Sequence, residues 1–532
     1  MANPGLRVRS SGPAEITPRR MAAGTLSSLI NRLIGLSLAF FVLPLVIHAA
    51  GTEEYGLWAV MGATVTYFGL LDCGIGAGFI KYLAEFLEYR EARKIRQIMT
   101  FGLLFYLGLG ALLLPLAALS GPHIVGWLKV APRNEALATL LLLLAVAYFV
   151  TQNALGILYA FIVAMQRSDV AAWIDTFGQV VYATAVVILL HMHLQILAVP
   201  MGLFAALFCV TLVRLVVVCR MFGWPFGNPL SLDGELVRRL FGFGLWTQIS
   251  MLTAVINLET DRIILGAFVS LTSVTYYELA NRLALLSRNL PLTLLGPILP
   301  AASAIDGRKD DRQLNRMYIR ATRYLALGTG AIAGLLVGAG PQIVRVWMGR
   351  DYPWVTAIMA ALLLTYGINN LTGVGTTVVR AVGQPHVETY YAVLGAVVNV
   401  AATIVLTPIF GLMGVIAGTL IGSTVGSIYF LWLFHKLRGL SWTEVMSEWL
   451  WRLVAAIAIA GAGIWIICNH ALTPWWFAAR PRGMAALIAI GVFYAGALWV
   501  VLWALRFWDR DDLDLLQRLL PGRFVVAKVK PQ

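Results

Sequence analysis

Nine side chains with chemistry in them interrupt stretches that are otherwise apolar. Glu259, Asp261 and Arg262 fall within four residues of one another, and Glu278, Arg282 and Arg288 follow in the next apolar run. Asn31 and Arg32 break the first run and Asp72 the second. A charge at bilayer depth costs at least ~2.5–3.5 kcal/mol on insertion scales, so it faces a partner or a wet cavity. A guanidinium matches a phosphate by two parallel hydrogen bonds. Arg288 and Arg282, and then Arg32 beside Asn31, are therefore the candidate cavity groups for an anionic ligand. Asp72, Asp261 and Glu278, with Glu259 and Arg262 close by, have the chemistry for ion coupling or gating.

Each of these residues also has a purely structural reading. Glu259 and Arg262 are three apart on a helix, and Glu278 and Arg282 are four apart in the acid-first order, so local ion pairs are expected. Arg32 reads equally as an anchor that snorkels to the interface. Asp72 reads equally as a cap at a helix break around Gly74 and Gly76. The arginines could pair with Asp261, Glu278 or Asp72 to keep two halves of the molecule in register. Asp175 and Arg214, on neighbouring runs, read as a structural pair, and so does Arg345 near an outer interface. No phosphate-binding loop, nucleophile elbow or metal-spaced cluster is present. The four cysteines are scattered, so neither an ATP-driven pump nor a resident cofactor or metal is expected.

The elements that position these residues follow from composition. The 532-residue chain is 59% hydrophobic and 12% charged, about half the usual share of charge. Many apolar runs reach the ~20 residues that cross a bilayer. Fourteen spans are expected, roughly 25–49, 56–80, 99–120, 136–164, 173–192, 197–220, 241–268, 272–300, 320–347, 355–379, 389–409, 412–434, 451–469 and 483–505. Each must be a helix, because a lone segment in hydrocarbon has to satisfy its own backbone. The net charge of +14 lies in short loops alternating along the chain, a pattern of membrane orientation and not of nucleic-acid binding. It places both termini in the cytoplasm.

The spans are duplicated. Gly121-Pro122-His123-Ile124-Val125-Gly126-Trp127 answers Gly340-Pro341-Gln342-Ile343-Val344-Arg345-Val346-Trp347, about 219 residues later. Tyr55 pairs with Tyr276, Asn153 with Asn370, and Ala164-Met165-Gln166 with Ala381-Val382-Gly383-Gln384 at nearly the same offset. Six spans per copy is an even number, so both copies enter the membrane in the same sense, as parallel repeats about an axis along the membrane normal. The expected fold is all-α and polytopic, with two six-helix lobes related by a pseudo-two-fold axis and two extra C-terminal helices. The expected parts are a cytoplasmic tail (1–21), an N-lobe (22–221), a linker (222–240), a C-lobe (241–435), helices 13 and 14 (436–505), and an amphipathic cytoplasmic tail (506–532).

Residues 45–86 carry a Gly51-x-Glu53-Glu54-Tyr55-Gly56 turn, an apolar span, then Leu71-Asp72-x-Gly74-Ile75-Gly76 and Ala84-Glu85. With Thr260-Asp261-Arg262, Tyr276-Tyr277-Glu278 and Ala381-Val382-Gly383-Gln384-Pro385, this resembles the polysaccharide flippases of the multidrug/oligosaccharidyl-lipid/polysaccharide superfamily, over roughly 22–440. The resemblance implies a monomeric carrier in a bacterial inner membrane. It would move a polyprenyl-diphosphate-linked oligosaccharide from the cytoplasmic to the outer leaflet by alternating access. Its other partners would be membrane lipids; the C-terminal segment 509–520, with leucines on a helical period, is expected to anchor along the inner membrane surface, with docking of a glycosyltransferase or polysaccharide polymerase as the lesser alternative. An ion-coupled multidrug exporter on the same scaffold is the alternative, and a membrane-embedded glycosyltransferase ranks last because the outer loops are short.

Overall fold

Apolar runs fold as helices here. The structure, a computed structural model, describes residues 18–72, 75–128, 130–228, 234–471, 474–477, 480–508 and 512, and those residues contain no strand. Most of the expected N-terminal tail, the centre of the linker and nearly all of the amphipathic C-terminal segment lie outside the described residues.

The first copy comprises α1 (Pro18–Ala50), α2 (Thr52–Phe68), α3 (Ile75–Glu88), α4 (Ala92–Trp127), α5 (Glu135–Ala164), α6 (Ser168–His191) and α7 (Ala198–Phe222). The second comprises α8 (Gly234–Ile264), α9 (Leu271–Leu292), α10 (Ile298–Gly307), α11 (Asp311–Gly338), α12 (Gly340–Met348), α13 (Pro353–Asn370), α14 (Gly373–Ala381), α15 (His386–Phe410) and α16 (Leu412–Arg438). Beyond it lie α17 (Glu448–Ile466), the single turn α18 (Pro474–Phe477) and α19 (Arg480–Ala504). Eleven helices among the described residues are long and apolar enough to cross a membrane. The expected spans 56–80, 241–268 and 272–300 are not among them. The first is broken by a 3-10 turn at Gly69–Asp72 into pieces of 17 and 14 residues. The others fall on α8 and α9, which carry the charged residues singled out above.

The duplication is visible in the backbone. The chain turns left-handed after α3 at Arg90 and after α10 at Lys309, after α5 at Gln166 and after α14 at Gly383, after α6 at His193 and after α15 at Gly411. These pairs are 219, 217 and 218 residues apart. Gln166 donates its amide to the Val163 carbonyl and Arg167 to Ile162, while Gly383 donates to Arg380 and Gln384 to Val379. The same 5→2 and 6→1 bonds close the ends of α3 and α10, so both copies stop their helices by one Schellman device. Both copies also interrupt their second span by a 3-10 turn, at Gly69–Asp72 and at Thr293–Leu295.

The chain forms two compact units. The first holds residues 1–279 and 392–423. Its core around α3, α4 and α5 contains Ile75, Leu83, Ile98 and Phe161, all fully enclosed. Glycines set its closest helix contacts. A Cβ on Gly414, Gly418 or Gly422 of α16 would lie 2.3, 2.2 or 2.5 Å from Leu406, Thr403 or Asn399 of α15. This stripe of small residues four apart lets the two backbones touch. Gly56, in the turn that opens α2, approaches α9 so closely that a Cβ would meet the Leu271 carbonyl oxygen at 1.9 Å. Gly51 one turn earlier has φ +90° and ψ 167°, a conformation open essentially to glycine alone.

The second unit holds residues 280–391 and 424–532. Here the two extra helices dock on α11. Its glycines Gly330, Gly334 and Gly338 receive Ile457, the Tyr494 hydroxyl and the Gly461 carbonyl, with Cβ distances of 2.3, 2.2 and 2.8 Å. Away from these contacts α19 exposes Ile488, Val492 and Val500, each more than 60% accessible. Such a face suits lipid and not water. Of the repeated Gly-Pro segments, Trp127 is exposed but Trp347 is buried, so only the first fits an interfacial aromatic.

Candidate functional site

The last two turns of α8 carry Glu259, Thr260, Asp261 and Arg262 in succession, so helical rotation sends their side chains to different neighbours. Glu259 and Arg262 share a face and are ion-paired. The same guanidinium reaches α9, where its Nε donates to Glu278 Oε2 at 3.0 Å and its Nη2 lies 2.8 Å from the same oxygen. One arginine thus sits between two carboxylates. Asp261 turns elsewhere and is 1% exposed. Its Oδ2 accepts from the Tyr277 hydroxyl of α9 and the Thr419 hydroxyl of α16, both at 2.8 Å. Among the described residues no cation pairs with Asp261. Thr260 meets the Tyr67 hydroxyl at 2.5 Å, and Thr275 donates to the Thr52 carbonyl at 2.5 Å. The cluster is all in the first unit and holds three acids against one base.

Asp72 ends the broken second span. It accepts from the Tyr106 hydroxyl at 2.8 Å and from the Gly76 amide at the start of α3. That is the cap geometry, and the carboxylate remains only partly buried. Asn31 accepts from Thr176 of α6 at 3.2 Å, while Arg32 is exposed. Asp175 and Arg214 pair at 2.5 Å, with the guanidinium 5.2 Å from the centre of the Tyr159 ring. Arg345 forms a two-bond pair with Asp351, at 2.6 Å in each bond.

Arg288 belongs to the second unit. Its guanidinium lies 5.6 Å from the centre of the Tyr366 ring, a cation–π distance. Tyr366 is fixed in turn by donating to Asn281 at 2.5 Å. Asn370 donates to the Arg288 carbonyl at 3.3 Å and to Thr329 at 2.9 Å. Arg288 Nε and Asn370 Oδ1 are shut off from solvent and have no hydrogen-bond partner among the described residues. Arg282, six residues earlier, is exposed. No group of three His, Cys, Asp or Glu side chains among the described residues is placed to hold a metal.

The sequence and the fold have counterparts among known proteins. A family model described as polysaccharide biosynthesis protein matches residues 21–305, more than half of the chain. The chain belongs to that family. It is 21% identical over 398 residues to the putative O-antigen transporter of Shigella flexneri, covering 73% of this chain and 91% of that protein. Its fold resembles the lipid II flippase MurJ in an inward closed conformation, with a TM-score of 0.68 at 15% identity, over 91% of this chain and 99% of the other. It also resembles an inward-facing multidrug-resistance transporter of the multidrug/oligosaccharidyl-lipid/polysaccharide superfamily, with a TM-score of 0.60 at 15% identity over 77% and 98%. This polysaccharide biosynthesis protein is thus a multi-pass membrane protein with the fold of those two transporters.

Several neutral residues of this family member matter as much as its charges. Tyr277 and Thr419 hold Asp261, Tyr366 faces Arg288, and Asn370 and Asn281 are almost fully buried in apolar helices. None of these was singled out from the sequence for such a role. The available signal was polarity in the wrong solvent: a buried asparagine or threonine in a span is retained for a hydrogen bond.

Proposed function

We propose that the protein flips a polyprenyl-diphosphate-linked oligosaccharide from the cytoplasmic to the outer leaflet of a bacterial inner membrane by alternating access. The observation that carries this reading is Arg288. It is a guanidinium on α9, braced by Tyr366 and with a buried Nε that no described residue satisfies. A diphosphate supplies the acceptor that such a group lacks. Arg282, exposed on the same helix, is the second candidate cation of this unit; Arg32, exposed beside Asn31, is the candidate of the first unit. Membership in a polysaccharide biosynthesis family and likeness to an O-antigen transporter favour a glycolipid cargo.

The acidic cluster supplies the coupling. Asp261 is held by two neutral hydroxyls and forms no ion pair among the described residues, so proton or cation exchange there changes the charge of α8 at its contacts with α9 and α16. Asp72 is a second candidate at the broken span. Glu259, Arg262 and Glu278 hold α8 to α9 while this happens.

The test is complementation in a strain lacking its native flippase, reading surface polysaccharide and the leaflet position of lipid-linked intermediates. Arg288→Ala is expected to lower surface glycan at least tenfold and trap intermediates on the cytoplasmic side, while Arg288→Lys retains part of the activity. Unchanged surface glycan in Arg288→Ala sinks the assignment. A deletion that alters drug susceptibility and leaves surface glycan intact selects the multidrug reading instead.

A further inference from the structure

At the end of the second unit where α10 meets α11, α16 meets α17 and α19 stops, a cavity of about 930 Å³ opens. Arg316, Arg320 and Arg323 line it from one face of α11, spaced by four and three residues, and Arg452 lines it from α17. Arg323 forms the floor: it is 7% exposed, pairs with Asp512 at 2.8 Å, and lies over the Phe507 ring at 4.5 Å. Glu444 is the acidic residue of the lining, and its carboxylate is already used to accept from the Ser441 amide at 2.9 Å. The remaining wall is apolar and includes Ile305, Met317 and Trp449.

Two observations tie this cavity to the membrane surface. It lies beside the basic loops Arg308-Lys309 and Lys436-x-Arg438, on the side read as cytoplasmic. Trp442, Trp451 and Trp503 are 41%, 55% and 56% exposed near the same helix ends, as interfacial tryptophans are. The arginine face is also absent from the first copy, where the matching positions at an offset of 219 are Gln97, Phe101 and Leu104. It exists only where the extra helices dock. Basic pockets between helices on the cytoplasmic side suit anionic lipid headgroups.

The geometry points to a binding site for the phosphate headgroup of an anionic membrane phospholipid, formed by Arg316, Arg320 and Arg452 over the floor at Arg323. The apolar wall takes the glycerol and upper acyl carbons. Occupation would clamp α17 to the base of α11, a role separate from the transported cargo.

The full-length protein, purified and stripped of lipid, is titrated with phosphatidylglycerol, with phosphatidylcholine and with inorganic phosphate, reading thermal stability and lipid retention by native mass spectrometry. Phosphatidylglycerol is expected to raise the melting temperature by several degrees and the other two not to. The Arg316→Gln/Arg320→Gln variant should lose at least half of that shift, and Arg452→Gln likewise. Both outer arginines of α11 are exposed, so lipid-free stability should change little, and Arg316→Lys/Arg320→Lys should restore binding. An unchanged phosphatidylglycerol shift in the glutamine variants overturns the site. An equal shift from phosphate alone makes it a free-phosphate site, and an equal shift from phosphatidylcholine removes the charge selectivity; either result overturns the lipid assignment.

Discussion

Arg262 is the residue on which the acidic cluster depends. Removing it strips Glu259 and Glu278, with side chains 15% and 11% exposed, of the guanidinium that joins them across α8 and α9. Breaking a buried ion pair costs about 3–5 kcal/mol, mainly because the orphaned charge stays behind. Arg262→Met is therefore expected to destabilise the detergent-solubilised protein by about 3 kcal/mol. Adding Glu259→Gln and Glu278→Gln should recover most of that loss. If the single variant melts like the parent protein, the guanidinium is not holding the hairpin. The half of this triad that was legible in the sequence is the half on one helix, since a spacing of three fixes the Glu259 contact. Glu278 is sixteen residues away, and its approach depends on how α8 turns into α9, which no local period encodes. Asp261 shows the same limit: its own burial was foreseeable, but Thr419 reaches it from a helix that follows it by about 150 residues.

Thr419 is placed by its element. The glycine beside it, Gly418, leaves no room on α15: a Cβ would lie 2.2 Å from Thr403 Oγ1 and 2.7 Å from its backbone nitrogen. The hydroxyl could rotate away, but the backbone cannot, so Gly418→Leu must push α16 off α15. Overpacking of this kind costs about 1–3 kcal/mol, and it withdraws Thr419 from Asp261. Transport is expected to fall at least tenfold, while Gly62→Leu, which meets nothing within 4 Å, should be silent. Equal activity of the two variants removes the stripe from the mechanism. A second element-scale expectation comes from the duplication. Gln166 is left-handed at φ +59° where the other copy has Gly383 at φ +76°. A left-handed side chain costs about 1–2 kcal/mol relative to glycine, so Gln166→Gly should raise thermal stability by about 1 kcal/mol; no gain would mean the Gln166 side chain is held by contacts worth as much. The repeat itself was legible from residue matches, and so was the hydrophobic period of the long helices. The glycine stripes of α11 and α16 stood in the sequence at spacing four but have no meaning until partner helices are known.

At the scale of the whole molecule the decisive relation is between the copies. Six spans per copy, as the sequence predicts, would make the repeats parallel, and parallel repeats put each matched turn on the same side of the membrane. Arg90 and Lys309 are such a pair, both left-handed, both exposed, and 219 residues apart. Arg133 and Asp351 lie in the loops that follow the next span of each copy, and both are exposed. The charge bias of the loops predicts the first pair in the cytoplasm and the second outside. Among the described residues eleven helices are apolar enough to span by composition alone, and three more are needed for the fourteen predicted. The missing three include the charged α8 and α9; if these cross the membrane, the pairs at Arg262 offset part of the cost of their charges. Membership of these helices in the membrane can thus be tested by sidedness alone. With Cys73, Cys209, Cys219 and Cys468 replaced by Ala, single cysteines at 90 and 309 are expected to react with an impermeant maleimide only after the cell is opened. Cysteines at 133 and 351 should react in intact cells. If 90 and 309 label from opposite sides, one of the charged helices does not cross, the second copy enters inverted, and the Arg288 and Asp261 sites cannot belong to a pair of parallel lobes.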